Sequence, residues 1–597
     1  MQQGLRYHKA NDLLNAQKYY LKSLEAQQDN YESLQLLGAL LHKQKKHSKA
    51  IDYLRRSLSI SPKQAHVSNT LANAYLANGN IDSALNEYEQ AISIKADYFD
   101  PYINLFRCFV NQRDDERAAD ILGRAKRYFP QHWRVFYFQA QLFRAKYDYK
   151  QSIDCLEQSN VLSPNNHLIL HDLGLSYRLS GQTNLALEVY RQVEQTGHRS
   201  AEFHHNYANA LSDVSKNELA LEHYAKALDM NPRLRDTLLN WCELMWESGK
   251  AEHMFIAYEN ALKSDSVPVE IYFDYIQKLI RVKNIKVAIA TLERMENQYP
   301  CSDYLTVCRV IVKRIQRDYE YDFSILDSVM NASDLDIEYK LLVIEYLIES
   351  AKPEYAYEQL EKLRVLNGDN QHLLALLHTC SRIVPNLEYP FSRLEDYLFE
   401  YQIKAPEGQS LASYLANLKD YLLALHQAKA QPLEQTLQHG TQTRGNLFDN
   451  DHPLLKHIKD QYIEALAKYR ETVSQLPPLY KGFWQQEEYD FIGSWSVALK
   501  QNGYHNNHFH PMGWLSSACY ISLPELNDDH DAGYFQIGIP NLNDGKNLGL
   551  GLPPLKQVKP KLGKLVLFPS CLWHGTVPFS GDQIRLSIAC DIVYKAT

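Results

Sequence analysis

The sequence predicts a multidomain α + β protein: an N-terminal all-α solenoid of paired helices, then a C-terminal β-sandwich or jelly roll with flanking helices. A 34-residue period of small and large apolar residues runs through the first two thirds of the chain. The last stretch, about 120 residues, switches to short β-rich runs separated by Gly, Pro, Asn and Asp. At 597 residues the chain is also too long for one hydrophobic core.

The repeats come first in the chain. Gly4, Gly38, Ala72, Phe106, Ala140, Gly174, Ala208, Cys242, Ile276, Val310 and Ile344 stand 34 residues apart. Twelve residues after these anchors come Ala16, Ala50, Ala84, Ala118, Ser152, Ala186, Ala220, Met254, Ala288, Asp322 and Ala356, small in nine of eleven units. Sixteen after them come Tyr20, Leu54, Tyr88, Leu122, Leu156, Tyr190, Tyr224, Tyr258, Leu292, Leu326 and Leu360, all large. The small residue lets two antiparallel helices approach, and the large one fills the space beside it. No unit buries its apolar face alone, so the units must stack. Pro62, Pro130, Pro164, Pro232 and Pro300 end helices and open the next connection. Asp322 at a small position predicts a distorted tenth unit.

This pattern resembles the tetratricopeptide repeat over residues 1–375, about eleven units. The resemblance implies a right-handed solenoid whose concave groove binds a protein or peptide. Asn73 and Asn209 share a phase on the first helix, which the family turns toward the groove. An amide there grips a peptide backbone, although the same residues also suit a solvated helix face. Most of the 41 tyrosines are accounted for by the packing position rather than by ligand binding.

Composition narrows the function classes. A formal net charge of −8 with 45% hydrophobic residues describes an ordinary soluble chain, so nucleic acid is not the expected partner. The nine cysteines form no CxxC pair, and Cys301 and Cys308 are too far apart for a short zinc knuckle. Reduced, buried thiols and a cytoplasmic location are expected. The start of the chain is polar and amphipathic, and no run of 18 apolar residues occurs, so neither export nor membrane insertion is expected.

After about residue 375 the phase is lost. "HLLALLHTCSRIV" and "LASYLANLKDYLLALHQA" keep helical spacing, which makes residues 376–430 a helical cap or linker. Pro432, Gly440 and Gly445 then break regularity before the amphipathic helix "HPLLKHIKDQYIEALAKYRETV". In the last domain, residues 431–597, strands are predicted at "DFIGSWSVAL", "WLSSACYISL", "GYFQIGI", "KLVLFP", "GTVPF" and "RLSIACDIV".

Histidines stand at the ends of these strands. His508 and His510 precede the run ending in "CYISLP", His574 lies 64 residues beyond His510, and Arg585 follows eleven later. A lone histidine would read as a turn or core residue. A His-x-His pair plus a distant histidine on a neighbouring strand gives three ligands facing one point, with other metal positions left open for chemistry. Arg585 and Ser587, two apart on a strand, share a face that suits a carboxylate.

The pieces "HFHP", "WLSSACYISLP", "LFPSCLWH" and "RLS", spanning about residues 430 to 597, resemble the Fe(II)/2-oxoglutarate-dependent oxygenase superfamily, in its bacterial branch with a His-x-His-Pro motif. The resemblance implies a double-stranded β-helix with iron at its open end. His508 and His574 would be metal ligands, Arg585 would hold the distal carboxylate of 2-oxoglutarate with help from Ser587, and O2 would take the remaining position. Most of the superfamily has Asp or Glu where His510 stands. His510 is then a third ligand, or it stands behind a two-histidine iron that takes a water, or Asp531 in "NDDHDAGYF" supplies a carboxylate from a loop. His505 is expected to be a turn or pocket residue. The expected function is a 2-oxoglutarate-dependent Fe(II) dioxygenase that hydroxylates a side chain of a protein or peptide recruited by the repeats. An interaction scaffold with an inactive oxygenase domain and a three-histidine dioxygenase without 2-oxoglutarate are the alternatives.

Overall fold

The computed structural model describes residues 1–597 apart from 265, 321–322, 334, 369, 386, 388–392, 429, 432, 434–435, 478–488, 526–530, 544–545, 582 and 595–597. It forms two compact units, Met1–His198 and Arg199–Thr597.

The first unit is six helix pairs, from Gln2–Lys9 with Leu13–Ala26 to His167–Leu179 with Thr183–Gln195. The small residues do what their size allows. Ala16, Ala50, Ala84, Ala118 and Ala186 are all 0% exposed. Gly38 sits so close to its partner helix that a Cβ there would lie 2.6 Å from the Leu54 side chain, and at Gly174 it would lie 2.7 Å from the Tyr190 ring. The turn inside each pair repeats as well. Asn11, Lys45, Gly79, Arg113, Tyr147 and Gly181 all have positive φ, so the helix packing imposes the left-handed residue even where the side chain opposes it. Asp12, Asn30, Asn80 and Asp114 then cap helix starts by accepting a backbone N–H three residues on.

The second unit begins with five more pairs, and the left-handed turn recurs at Ser215, Gly249, Lys283, Arg317 and Ala351. Where Met254 replaces the small residue, the second helix is split into a 3-10 turn, Ala251–His253, and a short helix, Ile256–Ala261. Asp322 lies outside the described residues; the second helix of that unit, Phe323–Asn331, has 9 residues against the usual 14. Asn73 in the first unit and Asn209 in the second each accept a hydrogen bond from the packing tyrosine of their own repeat, Tyr88 at 2.6 Å and Tyr224 at 2.5 Å. Asn104 and Asn240, one repeat on, donate to the same oxygens.

The rest of the second unit is a two-layer β structure with helices outside. In chain order its strands are β1 (Phe399–Gln402), β2 (Leu437–Gln442), β3 (Tyr489–His505), β4 (Leu515–Ser522), β5 (Phe535–Ile537), β6 (Lys556–Val558), β7 (Lys564–Pro569), β8 (His574–Thr576) and β9 (Arg585–Tyr594). One sheet runs β1-β7-β4-β9-β3-β2, the other β6-β5-β8, and every named pairing is antiparallel. Strands β3, β4, β5, β7, β8 and β9 fall on the predicted runs.

Within 376–430 the structure has the end of the helix Gln371–Ile383, the edge strand β1 paired with β7, and the helix Leu411–Leu425 packed on β4. Side chains of the later repeats reach the same unit: Trp246 Nε1 donates to the Gln431 carbonyl at 2.8 Å, and Arg444 pairs with Glu247 at 2.6 Å.

Candidate active site

Two short backbone ladders place the three histidines. His508 and His574 form an isolated antiparallel bridge, each N–H donating to the other's carbonyl at 2.8 Å. The N–H of His510 donates to the Ser570 carbonyl at 2.9 Å. Gly575, next to His574, is required by this close approach: a Cβ would run into the Asn507 side chain and lie 3.0 Å from the His505 carbonyl.

Ligand atoms of His508, His510 and His574 all lie within 4.8 Å of one another, and no other group of three or more His, Cys, Asp or Glu side chains among the described residues does so. Each ring is tethered at Nδ1. His508 Nδ1 donates to the Asn506 carbonyl at 2.8 Å, His574 Nδ1 to the Leu572 carbonyl at 2.9 Å, and His510 Nδ1 to Asp591 Oδ1 at 2.5 Å. Nδ1 donation leaves each Nε2 as a lone pair, and the Nε2 atoms of His508 and His510 are 3.2 Å apart. Burial, and then the neighbouring rings, hold His508 and His574 well below the ordinary histidine range, so both are neutral near pH 7. Neutral rings with converging lone pairs and anchored Nδ1 protons are the donor set a divalent metal requires. Fe(II), the metal the oxygenase resemblance implies, therefore fits these residues.

The rings open into a cavity of about 300 Å³ whose wall includes Trp495, His505, Tyr520, Arg585 and Ser587. Arg585 is 4% exposed; its Nη1 donates to the Gly533 carbonyl at 2.6 Å and its guanidinium lies 5.1 Å from the Tyr520 ring centroid. Burial lowers its pKa from the usual arginine value, and no carboxylate pairs with it among the described residues. A buried cation without a counter-ion is costly, and an anionic ligand in this cavity would relieve that cost. Ser587 faces the same cavity two residues along β9.

The five residues chosen from the sequence thus surround one cavity. Asp531 does not join them: it is exposed, and its carbonyl accepts the Tyr534 N–H. His505 is a wall residue, pushed down to about 3 by burial and then by Arg585 and His510. Sequence reasoning passed over Asp591, although it shares the two-residue period of Arg585 and Ser587. It also passed over the support from the helix Gln371–Ile383. Phe509, between the paired histidines, stacks on His372 with ring centroids 4.7 Å apart, and Trp573, beside His574, donates its Nε1–H to Thr379 Oγ1 at 3.1 Å.

Residues 493–591 match the family model described as "Putative 2OG-Fe(II) oxygenase", and residues 33–97 and 75–142 match tetratricopeptide repeat models. The protein therefore joins a tetratricopeptide array to a domain of that oxygenase family. Among curated proteins, it is similar to BBSome complex member BBS4 of Bos taurus, with 22% identity over 252 residues, 42% of each chain. It is also similar to tetratricopeptide repeat-containing protein trd-1 of Caenorhabditis elegans, with 26% identity over 126 residues, 21% of this chain and 16% of that protein. The chain thus spans less than half the length of either relative. A solved tetratricopeptide repeat protein from Parabacteroides merdae is 16% identical, covers 40% of this chain and 93% of its own, and superposes with a TM-score of 0.34.

Proposed function

We propose that this protein is an Fe(II)/2-oxoglutarate-dependent dioxygenase that hydroxylates a side chain of a protein or peptide held by its repeats. The observation that carries the reading is the cluster of three histidines with ligand atoms within 4.8 Å of one another and, on the wall of the same cavity, a buried Arg585 with no carboxylate partner among the described residues. In this reading His508, His510 and His574 hold the metal, while Arg585 and Ser587 hold the distal carboxylate of 2-oxoglutarate. Bound iron, with 2-oxoglutarate and O2, supplies the oxidation of an unactivated C–H bond. The chain's own residues orient and shield. The guanidinium and hydroxyl fix the cosubstrate's far end, the Nδ1 tethers hold the imidazoles in position, and Trp495, Phe568 and Phe535 keep the lining largely apolar.

For recruitment, the first unit offers a cleft lined by Asn69, Asn73, Asn104, Arg107, Trp133 and Tyr137, which suits an extended peptide. None of the nine cysteines is joined in a disulfide, in keeping with a reducing, cytoplasmic setting. No helix among the described residues is long and apolar enough to cross a membrane.

The test is succinate formation by the full chain with Fe(II), 2-oxoglutarate and O2, together with mass spectrometry of proteins trapped by His574→Ala. Succinate from the wild type, none from His574→Ala, and one added oxygen on a trapped partner are expected. Arg585→Ala should raise the KM for 2-oxoglutarate about a hundredfold, the scale of losing one partner of a buried charge pair. No succinate with any extract would overturn the reading. Among the described residues no carboxylate joins the histidine cluster, which favours one second reading, a three-histidine dioxygenase that does not use 2-oxoglutarate; metal-dependent activity unaffected by Arg585→Ala would select it.

A further inference from the structure

If the three histidines hold a divalent metal, one negative charge is missing relative to a site with two histidines and a carboxylate. Among the described residues, no carboxylate belongs to the cluster. The carboxylate of Asp591 nevertheless stands directly behind it. Its Oδ1 accepts from His510 Nδ1 at 2.5 Å, and the two side chains are 13% and 12% exposed. No lysine or arginine pairs with Asp591 among the described residues, so its charge is not already neutralised.

The arrangement is closed on itself. Ser516 Oγ on β4 donates to Asp591 Oδ1 at 2.9 Å and lies 2.8 Å from Ser570 Oγ, while the Ser570 carbonyl accepts the backbone N–H of His510. Trp495 stacks on the imidazole, with centroids 5.8 Å apart and planes at 24°. Ring plane, tautomer and carboxylate are therefore fixed together. Alternation along β9 brings Arg585, Ser587, Ala589 and Asp591 all to the cavity wall.

We propose that Asp591 is a positioning residue that delivers to the metal, through the ring of His510, the negative charge a ligating carboxylate would bring. A carboxylate accepting the Nδ1 proton raises the electron donation of the opposite Nε2. Three neutral histidines with one anion behind them leave a divalent ion with the same formal balance as two histidines and a carboxylate. One strand thus carries the proposed cosubstrate anchor at one end and the metal's counter-charge at the other. This inference rests on the metal reading above.

The test is Co(II) titration of the metal-free full chain, followed by visible spectroscopy and calorimetry. Asp591→Asn keeps the size and an acceptor oxygen but removes the charge. It should weaken Co(II) binding by about 10- to 100-fold and shift the Co(II) absorption bands, while the thermal midpoint of the metal-free protein stays level or rises. Ser516→Ala, which frees the carboxylate without removing it, should weaken binding less and in the same direction. Wild-type affinity and spectrum in both variants would overturn the inference and leave the metal reading standing. Equal Co(II) binding by the wild type and His574→Ala would overturn both.

Discussion

The turns of the repeats and the histidines of the cavity are both held by backbone hydrogen bonds and packing, but one arrangement is made many times and the other once. Eleven left-handed turn residues stand 34 apart, only three of them glycine, so each repeat re-creates the same helix contact whatever side chain occupies the turn. The cavity has no such redundancy. Among the described residues the His508–His574 bridge, the Asp591 carboxylate and the buried Arg585 each occur once, the last two on the single strand β9. The array therefore tolerates departures such as Met254 by reshaping one helix, whereas the site has no second copy of any part.

This contrast is open to test. Ala118→Leu overpacks a fully buried helix contact of the first unit; it should cost about 1–3 kcal/mol by thermal or urea unfolding, with Co(II) affinity unchanged. Altered affinity would show that the array and the site are not separable.

A smaller effect should come from the buried charges beside the site. Burial would depress His372, but its hydrogen bonds to Glu338 and Glu345 outweigh that and lift it to about 9, above the ordinary 6.5. A raised histidine contributes stability that is complete below about pH 6.5 and is lost as pH rises through about 9. Glu345 is held down to about 2 and does not titrate in that window. The unfolding free energy should therefore fall between pH 6.5 and 9, and His372→Gln should flatten that slope; an unchanged slope would rule His372 out as its source.

The smallest expected change is Trp573→Phe, which deletes the Nε1–H donated to Thr379. It should cost about 1 kcal/mol and loosen Co(II) binding slightly, because Trp573 adjoins His574. A stability loss with no change in affinity would show that the contact supports the fold alone.

The repeats were legible because their contacts lie at fixed short separations: each small residue and its large neighbour are four apart, and the anchor meets a residue sixteen on. Six strands were legible as apolar runs. Strand β1, reading FEYQ, alternates but is only 4 residues long, and β2 and β6, reading LQHGTQ and KQV, show no apolar alternation to find. The histidines and Arg585 stood out by residue type, and the chain brings them around one cavity. Asp591 was on the page in "RLSIACDIV", in phase with Arg585 and Ser587, but an acid in a strand reads first as a solvated residue. Trp573 and Thr379 are 194 residues apart, a separation no local pattern encodes.

The helix Gln371–Ile383 also bears on how such a protein can be inherited. Repeats of the first unit, which pack mainly on their neighbours, can be gained or lost by unequal crossing-over. A recombination joint placed between this helix and the sheet would instead strip the indole of Trp573 of its acceptor and leave Phe509 without its stacking partner. A gene fusion that brought in this oxygenase would keep these two contacts only if the helix came with it.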